Sequence, residues 1–176
     1  MKQGIIIETN KGREEMFDNL MRSINTHYQV LPVYRNDFEL GAIAHAVYNT
    51  DLDEFLFLHD TCEIKNNSLF ELVFETHKGK SVALADHPCI FGMYLGKYKR
   101  EVLNKILLPK AHTKLEAVEY EIEFNNLYCK TDGDVQIISN PLHNNDIFCE
   151  MFGRKNMKLE NDYLIKYKAT WSRSML

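Results

Sequence analysis

Phe55-Leu56-Phe57-Leu58-His59-Asp60 is an uninterrupted apolar run that ends abruptly in an imidazole and a carboxylate. Four apolar residues without alternation suit a central parallel strand covered on both faces. Just upstream, Glu39 to Tyr48 sets Leu40, Ile43, Ala44 and Val47 at helical spacing. Tyr28 to Tyr34 reads as another strand, and Pro32 confines it to an edge or an irregular position. The opening Gln3-Gly4-Ile5-Ile6-Ile7-Glu8 is a β-branched run too short for a helix. It closes on the turn chemistry of Thr9-Asn10-Lys11-Gly12, after which Glu14, Glu15, Phe17, Leu20, Met21 and Ile24 carry a helical period with acids in the first turn. The order is β-α-β-α-β, and right-handed crossovers put these strands in one mostly parallel sheet, an α/β fold.

The second half is less regular. Leu69 to Phe74 reads as a short helix, Ser81 to Ala85 as a strand after the Lys78-Gly79-Lys80 turn, and Tyr94 to Leu108 as a helix ending at Pro109. Thr113-Lys114-Leu115-Glu116 is a capping-box pattern opening a helix to Cys129. Val135 to Ile138 reads as a short strand, and from Pro141 onward the pattern is polar loop, Phe148 to Phe152, and an aromatic-basic tail. No repeat, low-complexity segment or linker divides the 176 residues, which predicts one domain.

With 45% hydrophobic residues the chain can build its own core. Cys62, Cys89, Cys129 and Cys149 form no CxxC pair and the N-terminus lacks a signal-like plan, so a soluble protein of a reducing, cytoplasmic compartment is expected. No apolar run approaches the roughly 20 residues of a membrane span. The net charge of −4 argues against a general nucleic-acid binder. Charge is nonetheless uneven: Arg154, Lys155, Lys158, Lys166, Lys168 and Arg173 face only Glu160 and Asp162 toward the C-terminus. A local anion such as a diphosphate suits that end better than a long polyanion.

Ligands of an open parallel sheet bind beyond the carboxyl ends of its strands. Three polar segments are placed there: Glu8 to Arg13, Arg35 to Glu39, and His59 to Glu63. The third brings an imidazole and carboxylates to one rim, although Asp60 as a turn cap and His59 as a surface residue is the plainer alternative.

The segment Ile5-Ile6-Ile7-Glu8-Thr9-Asn10-Lys11-Gly12-Arg13 with its following helix resembles the opening of inverting, family-two-type glycosyltransferases, whose first strand leads to a nucleotide-holding loop. Phe55 to Asp60 is similar to the strand that carries their Asp-x-Asp motif in the glycosyltransferase A-type (GT-A) fold. The resemblance covers about the first 120 residues by order of elements. It implies a single Rossmann-like GT-A domain over 1–176, with a nucleotide-binding half at 1–65 and the acceptor side and basic segment at 80–176. The implied donor is a nucleoside diphosphate sugar held by Thr9, Asn10, Arg13, Arg35 and Asp60, with Arg154, Lys166 and Lys168 folding back over its diphosphate. Mn²⁺ or Mg²⁺ is the implied cofactor, with Asp60 as ligand and His143 completing its sphere. The chain departs from the motif in having one acid where the family has two: His59-Asp60-Thr61, with Glu63 three further on. The resemblance places the catalytic base in Leu115 to Glu121. Glu116 and Glu119, at i and i+3, share a helix face there, and capping is the alternative role of Glu116. Asp86 to Gly96, turn residues with aromatics, is similar to an acceptor-side loop.

The expected reaction moves a sugar to a hydroxyl acceptor, either a glycan or a hydroxymethylated base in phage DNA, the latter on size and Lys-, Asn- and Ile-rich composition. So short a chain would hold its acceptor either by a few loops or with the help of a second subunit. Two other classes compete. A non-catalytic nucleotide-binding module would bind without turnover, and a nucleotidyltransferase would take a triphosphate and need two neighbouring metal-binding acids.

Overall fold

Ile5, Ile6 and Ile7 have no exposure at all, and neither has any apolar residue from Phe55 to Leu58, so two adjacent strands already form the middle of a three-layer core. The computed structural model describes residues 1–34, 38–86, 95–143, 147–151 and 154–169. Its elements run β1 (Gln3–Thr9), α1 (Glu14–Ser23), β2 (Gln29–Tyr34), α2 (Phe38–Asn49), β3 (Glu54–His59), β4 (Cys62–Ile64), α3 (Ser68–Glu71), β5 (Ser81–Ala85), β6 (Gly96–Lys99), α4 (Arg100–Leu103), α5 (Lys114–Asp132), β7 (Val135–Leu142), β8 (Ile147–Met151), β9 (Arg154–Glu160) and β10 (Leu164–Ala169). A π-helical turn, Leu72–Thr76, prolongs α3.

The central sheet has the order β2-β1-β3-β6-β5-β7. β1 pairs in parallel with both β2 and β3, and β5 in parallel with β7. Pro32 sits on edge strand β2, where a missing N–H does least harm. The period of two sorts the side chains between layers. Ile5, Ile7, Leu56 and Leu58 pack with Leu20 of α1 and with Leu69 and Phe70 of α3. Ile6, Phe55 and Phe57 pack on the other face with Leu40, Ile43 and Val47 of α2 and with Phe124 and Tyr128 of α5. The α/β expectation and its mostly parallel sheet hold, with helices on both faces.

Three segments differ from the sequence reading. The helix expected over Tyr94 to Leu108 is, in its described part, strand β6 followed by the single turn of α4. β6 runs antiparallel between β3 and β5, and Gly96 makes that insertion possible because a Cβ there would lie 2.3 Å from the carbonyl oxygen of Val82. Cys62 to Ile64 is a strand rather than a loop. The supposed loop and tail beyond Pro141 extend β7 to Leu142 and form β8, β9 and β10, which join β4 in a second, antiparallel sheet of order β4-β10-β9-β8. Helix α5 starts as expected: Thr113 caps it, the Glu116 side chain closes the capping box, and Gly133 at φ 72 ends it.

Candidate functional site

β1 and β3 end side by side, with Glu8 opposite His59 in register, so their last residues share one edge of the sheet. Thr9 and Asp60 follow there, and the Asp60 N–H donates to the Glu8 carbonyl at 2.9 Å. α2 begins at the same edge and brings Glu39 to it: His59 Nδ1 lies 3.9 Å from carboxylate oxygens of both Glu8 and Glu39. Glu8, Thr9, His59 and Asp60 are all buried. Two cations enter this group. The Arg13 guanidinium, from the loop after β1, donates to Asp60 Oδ1 at 3.1 Å while its own side chain stays 38% exposed. The ammonium of Lys166, buried on β10, donates to the Thr61 hydroxyl. Strand β10 is placed for this by pairing with β4, Lys166 opposite Cys62, and by the Tyr167 N–H to the Thr61 carbonyl at 2.9 Å.

The electrostatics follow from burying acids next to one another. Burial, then the charges of Glu39 and Asp60, push the Glu8 carboxyl up to about 7, against the opposing influence of Arg13 and of a hydrogen bond from Asn10. Burial likewise pushes Lys166 below the ordinary lysine range, against Cys62, Asp60, Glu39 and Glu8, which favour its charged form. Asp60 Oδ2 is buried with no hydrogen-bond partner among the described residues. A carboxylate oxygen in that position suits a hard cation, which takes oxygen ligands. Among the described residues no three His, Cys, Asp or Glu side chains converge closely enough to hold a metal by themselves, so ligands from a bound substrate would have to complete the sphere.

The structure thus brings together Thr9, Asn10, Arg13, Asp60 and Lys166 from the expected set. It adds Glu8, His59, Glu39 and Thr61, which the sequence placed at this rim only as parts of polar segments. An acid ending an otherwise apolar strand, as Glu8 does, was the available signal. Lys168 lies two residues on along β10, on the same face as Lys166 and half-buried. Arg154 opens β9 with its backbone opposite Met151, and Arg35 lies outside the described residues, as do residues 87–94 of the expected acceptor loop. His143 is not beside Asp60: its Nδ1 is 3.1 Å from Asp86 Oδ2. β7, which it follows, stands three strand positions from β3, roughly 14 Å across the sheet.

Helix α5 leads into β7, parallel to β5, so its first turn also lies at the carboxyl edge. Glu116 there accepts from the backbone N–H groups of His112 at 2.8 Å and Thr113 at 3.1 Å, which hold its carboxyl below the usual range. Glu119 is exposed. A recess of about 520 Å³ lined by Asp53, Glu54, Lys99 and Arg100 lies at the opposite, amino edge of the sheet, away from this chemistry.

No sequence-family profile matches the chain, and no curated protein matches it. Solved structures do. TarS of S. aureus, residues 1–349, superposes with a TM-score of 0.54 at 10% identity, over 79% of this chain and 58% of that one. A second TarS structure gives 0.52 at 11%, over 79% and 35%. At 10–11% identity the likeness to TarS is one of fold. A197 from STIV matches at 0.51 and 15%, over 98% of this chain and 97% of its own. The chain spans a little over half the length of TarS 1–349. No helix among the described residues is long and apolar enough to cross a membrane.

Proposed function

We propose that the chain is a glycosyltransferase that moves a sugar from a nucleoside diphosphate sugar to a hydroxyl acceptor, a glycan or a hydroxymethylated base of phage DNA. One observation carries the reading: in a fold that resembles TarS, a glycosyltransferase, the carboxylate at the end of β3 is flanked by a guanidinium and an ammonium delivered from two other elements. The nucleotide would lie along Thr9 and Asn10. Arg13, half exposed beside Asp60, would meet the diphosphate directly, with Lys166 behind it and Lys168 and Arg154 further along the second sheet. These cations would offset the charge growing on the leaving diphosphate. Asp60, through Oδ2, is the residue that would hold Mn²⁺ or Mg²⁺, and such an ion would neutralise the same diphosphate.

The proton of the attacking hydroxyl needs a base. Glu116 already accepts two backbone N–H bonds, which engage its oxygens and hold its carboxyl below the usual range, making it the weaker base; this supports Glu119, exposed one turn on, for that role. A second reading, a nucleotide-binding module without turnover, is favoured by the burial of Asp60 and Lys166 within their own polar network. A nucleotidyltransferase would instead prefer a nucleoside triphosphate. A thermal-shift panel of nucleotide sugars and triphosphates, with and without Mn²⁺, separates the three. A ligand at 100 times its dissociation constant stabilises by about 2.7 kcal/mol. If a nucleotide sugar binds, Glu119→Gln should lower transfer by ~10²–10⁴ with little change in donor affinity. Binding without transfer by the parent protein establishes the module, and a panel with no response to any nucleotide refutes all three.

A further inference from the structure

Tyr34 ends the edge strand β2, and its side chain is 66% exposed. The register of the sheet fixes where that ring stands. Tyr34 pairs with Thr9, and Glu8 pairs with His59, so Tyr34, Thr9 and Asp60 follow one another in a row across the carboxyl ends of β2, β1 and β3. Strand alternation turns Tyr34 to the side of Val30, and Thr9 to the side of Ile5 and Ile7, which is the face packed by Leu20 of α1. From the same helix Phe17 meets the Tyr34 ring at a centroid distance of 6.2 Å and an angle of 57°. This tilted contact orients the ring and leaves most of it to solvent.

Two strand spacings, roughly 10 Å, separate Tyr34 from Asp60 and from the Arg13 guanidinium bonded to it. A ribose and its 5′ phosphate bridge such a gap, so a diphosphate held at Arg13 carries its base to the exposed ring of Tyr34. β2 has a strand on one side only, and no neighbouring strand limits the width of a ring lying there. On a one-sided platform affinity follows the overlap of ring on ring, and a two-ring base overlaps more than a one-ring base. Within the glycosyltransferase reading, on which this rests, we propose that Tyr34 is the stacking platform for the donor's base and that it makes the donor a purine nucleoside diphosphate sugar.

The test titrates the full chain with ADP, GDP, UDP and inorganic pyrophosphate in a calorimeter, with Mn²⁺ present throughout. ADP and GDP should bind more tightly than UDP. Tyr34→Ala should weaken both purine nucleotides by about tenfold or more and leave pyrophosphate, which has no ring, unchanged. Tyr34→Trp should keep the parent's affinity, because it keeps an aromatic face at the same place. Melting curves check that a substitution at this exposed position leaves the fold intact. Three results overturn the proposal: purine nucleotides bound by Tyr34→Ala as by the parent, UDP bound more tightly than both purines, or pyrophosphate affinity lost along with the nucleotides, which would make Tyr34 a structural support. The first of these leaves the glycosyltransferase reading standing, whereas a parent protein that binds no nucleotide at all removes that reading and the role of Tyr34 together.

Discussion

Replacing Glu8 with Gln should make the protein more stable above neutral pH and change little in acid. The Glu8 carboxyl titrates near 7 in the folded chain, chiefly through burial and then through Glu39 and Asp60, and near 4.5 when free of them. Below pH 4.5 both folded and unfolded chains hold the proton, and the site costs nothing. Between 4.5 and 7 the unfolded chain releases it while the folded one keeps it, so folded stability falls with rising pH. Above 7 both are ionised and the full penalty stands. At 1.36 kcal/mol per pH unit, the gap amounts to roughly 3 kcal/mol. Lys166, whose pKa burial depresses, titrates in the opposite sense, so the informative quantity is the difference between wild type and variant. Urea unfolding at pH 5, 6, 7 and 8 should show Glu8→Gln gaining roughly 2–3 kcal/mol on wild type between the lowest and highest pH. Parallel stability curves for the two proteins would refute the account, because they would mean that Glu8 is solvated and ionised throughout.

Three further outcomes follow from other parts of the structure. Lys97 and Glu54 are both buried and pair at 3.0 Å, so Glu54→Gln, which strands the ammonium, should cost about 3–5 kcal/mol in urea unfolding, whereas Lys97→Met/Glu54→Leu should recover most of that loss. Gly96→Ala forces a Cβ against the Val82 carbonyl across the β5–β6 pair, and a loss of about 1–3 kcal/mol should appear in the same assay. Thr113→Ala removes the side chain that caps α5 and should cost about 1 kcal/mol of stability, while Glu116→Gln, which can still accept in the capping box, should cost far less.

What the sequence could and could not disclose follows from how local the deciding forces are. β1 and β3 were legible because burial on both faces leaves no polar alternation to misread: Ile5 to Ile7 and Phe55 to Leu58 have no other plausible home. The start of α5 was legible because a capping box is a contact among four consecutive residues. β6 was not, since Gly96-Lys97-Tyr98-Lys99 runs straight into the helical turn Arg100–Leu103, and the whole stretch carries a helical period. Its strand character comes from neighbours distant in sequence, Glu54 and His77 satisfying Lys97, and Val82 lying too close for any residue but glycine at 96. The second sheet was hidden for the same reason, because β10 pairs with β4 across a hundred residues of chain.

The candidate site divides along the same line. Asp60, Arg13 and Lys166 could be named because each is a charged residue at an element end or in a basic run. Glu39 and Glu8 became part of the site only once α2 was laid across β1 with the alternation that turns Ile6 and Glu8 to the same face. His143 shows the converse error. Position in the chain suggested a partner for Asp60, but β6 and β5 stand between β3 and β7, and the imidazole, just past β7, pairs with Asp86, the residue that follows the neighbouring β5. Sequence spacing ranks residues by contour length, whereas an inserted antiparallel strand sets their separation in steps of about 4.8 Å across the sheet. A ligand bridging Asp60 and His143 would have to cross three such steps, so a metal that binds at Asp60 should keep its affinity in His143→Ala, and a loss of Mn²⁺ binding in that variant would show the edge of the sheet to be folded more tightly than its strand order allows.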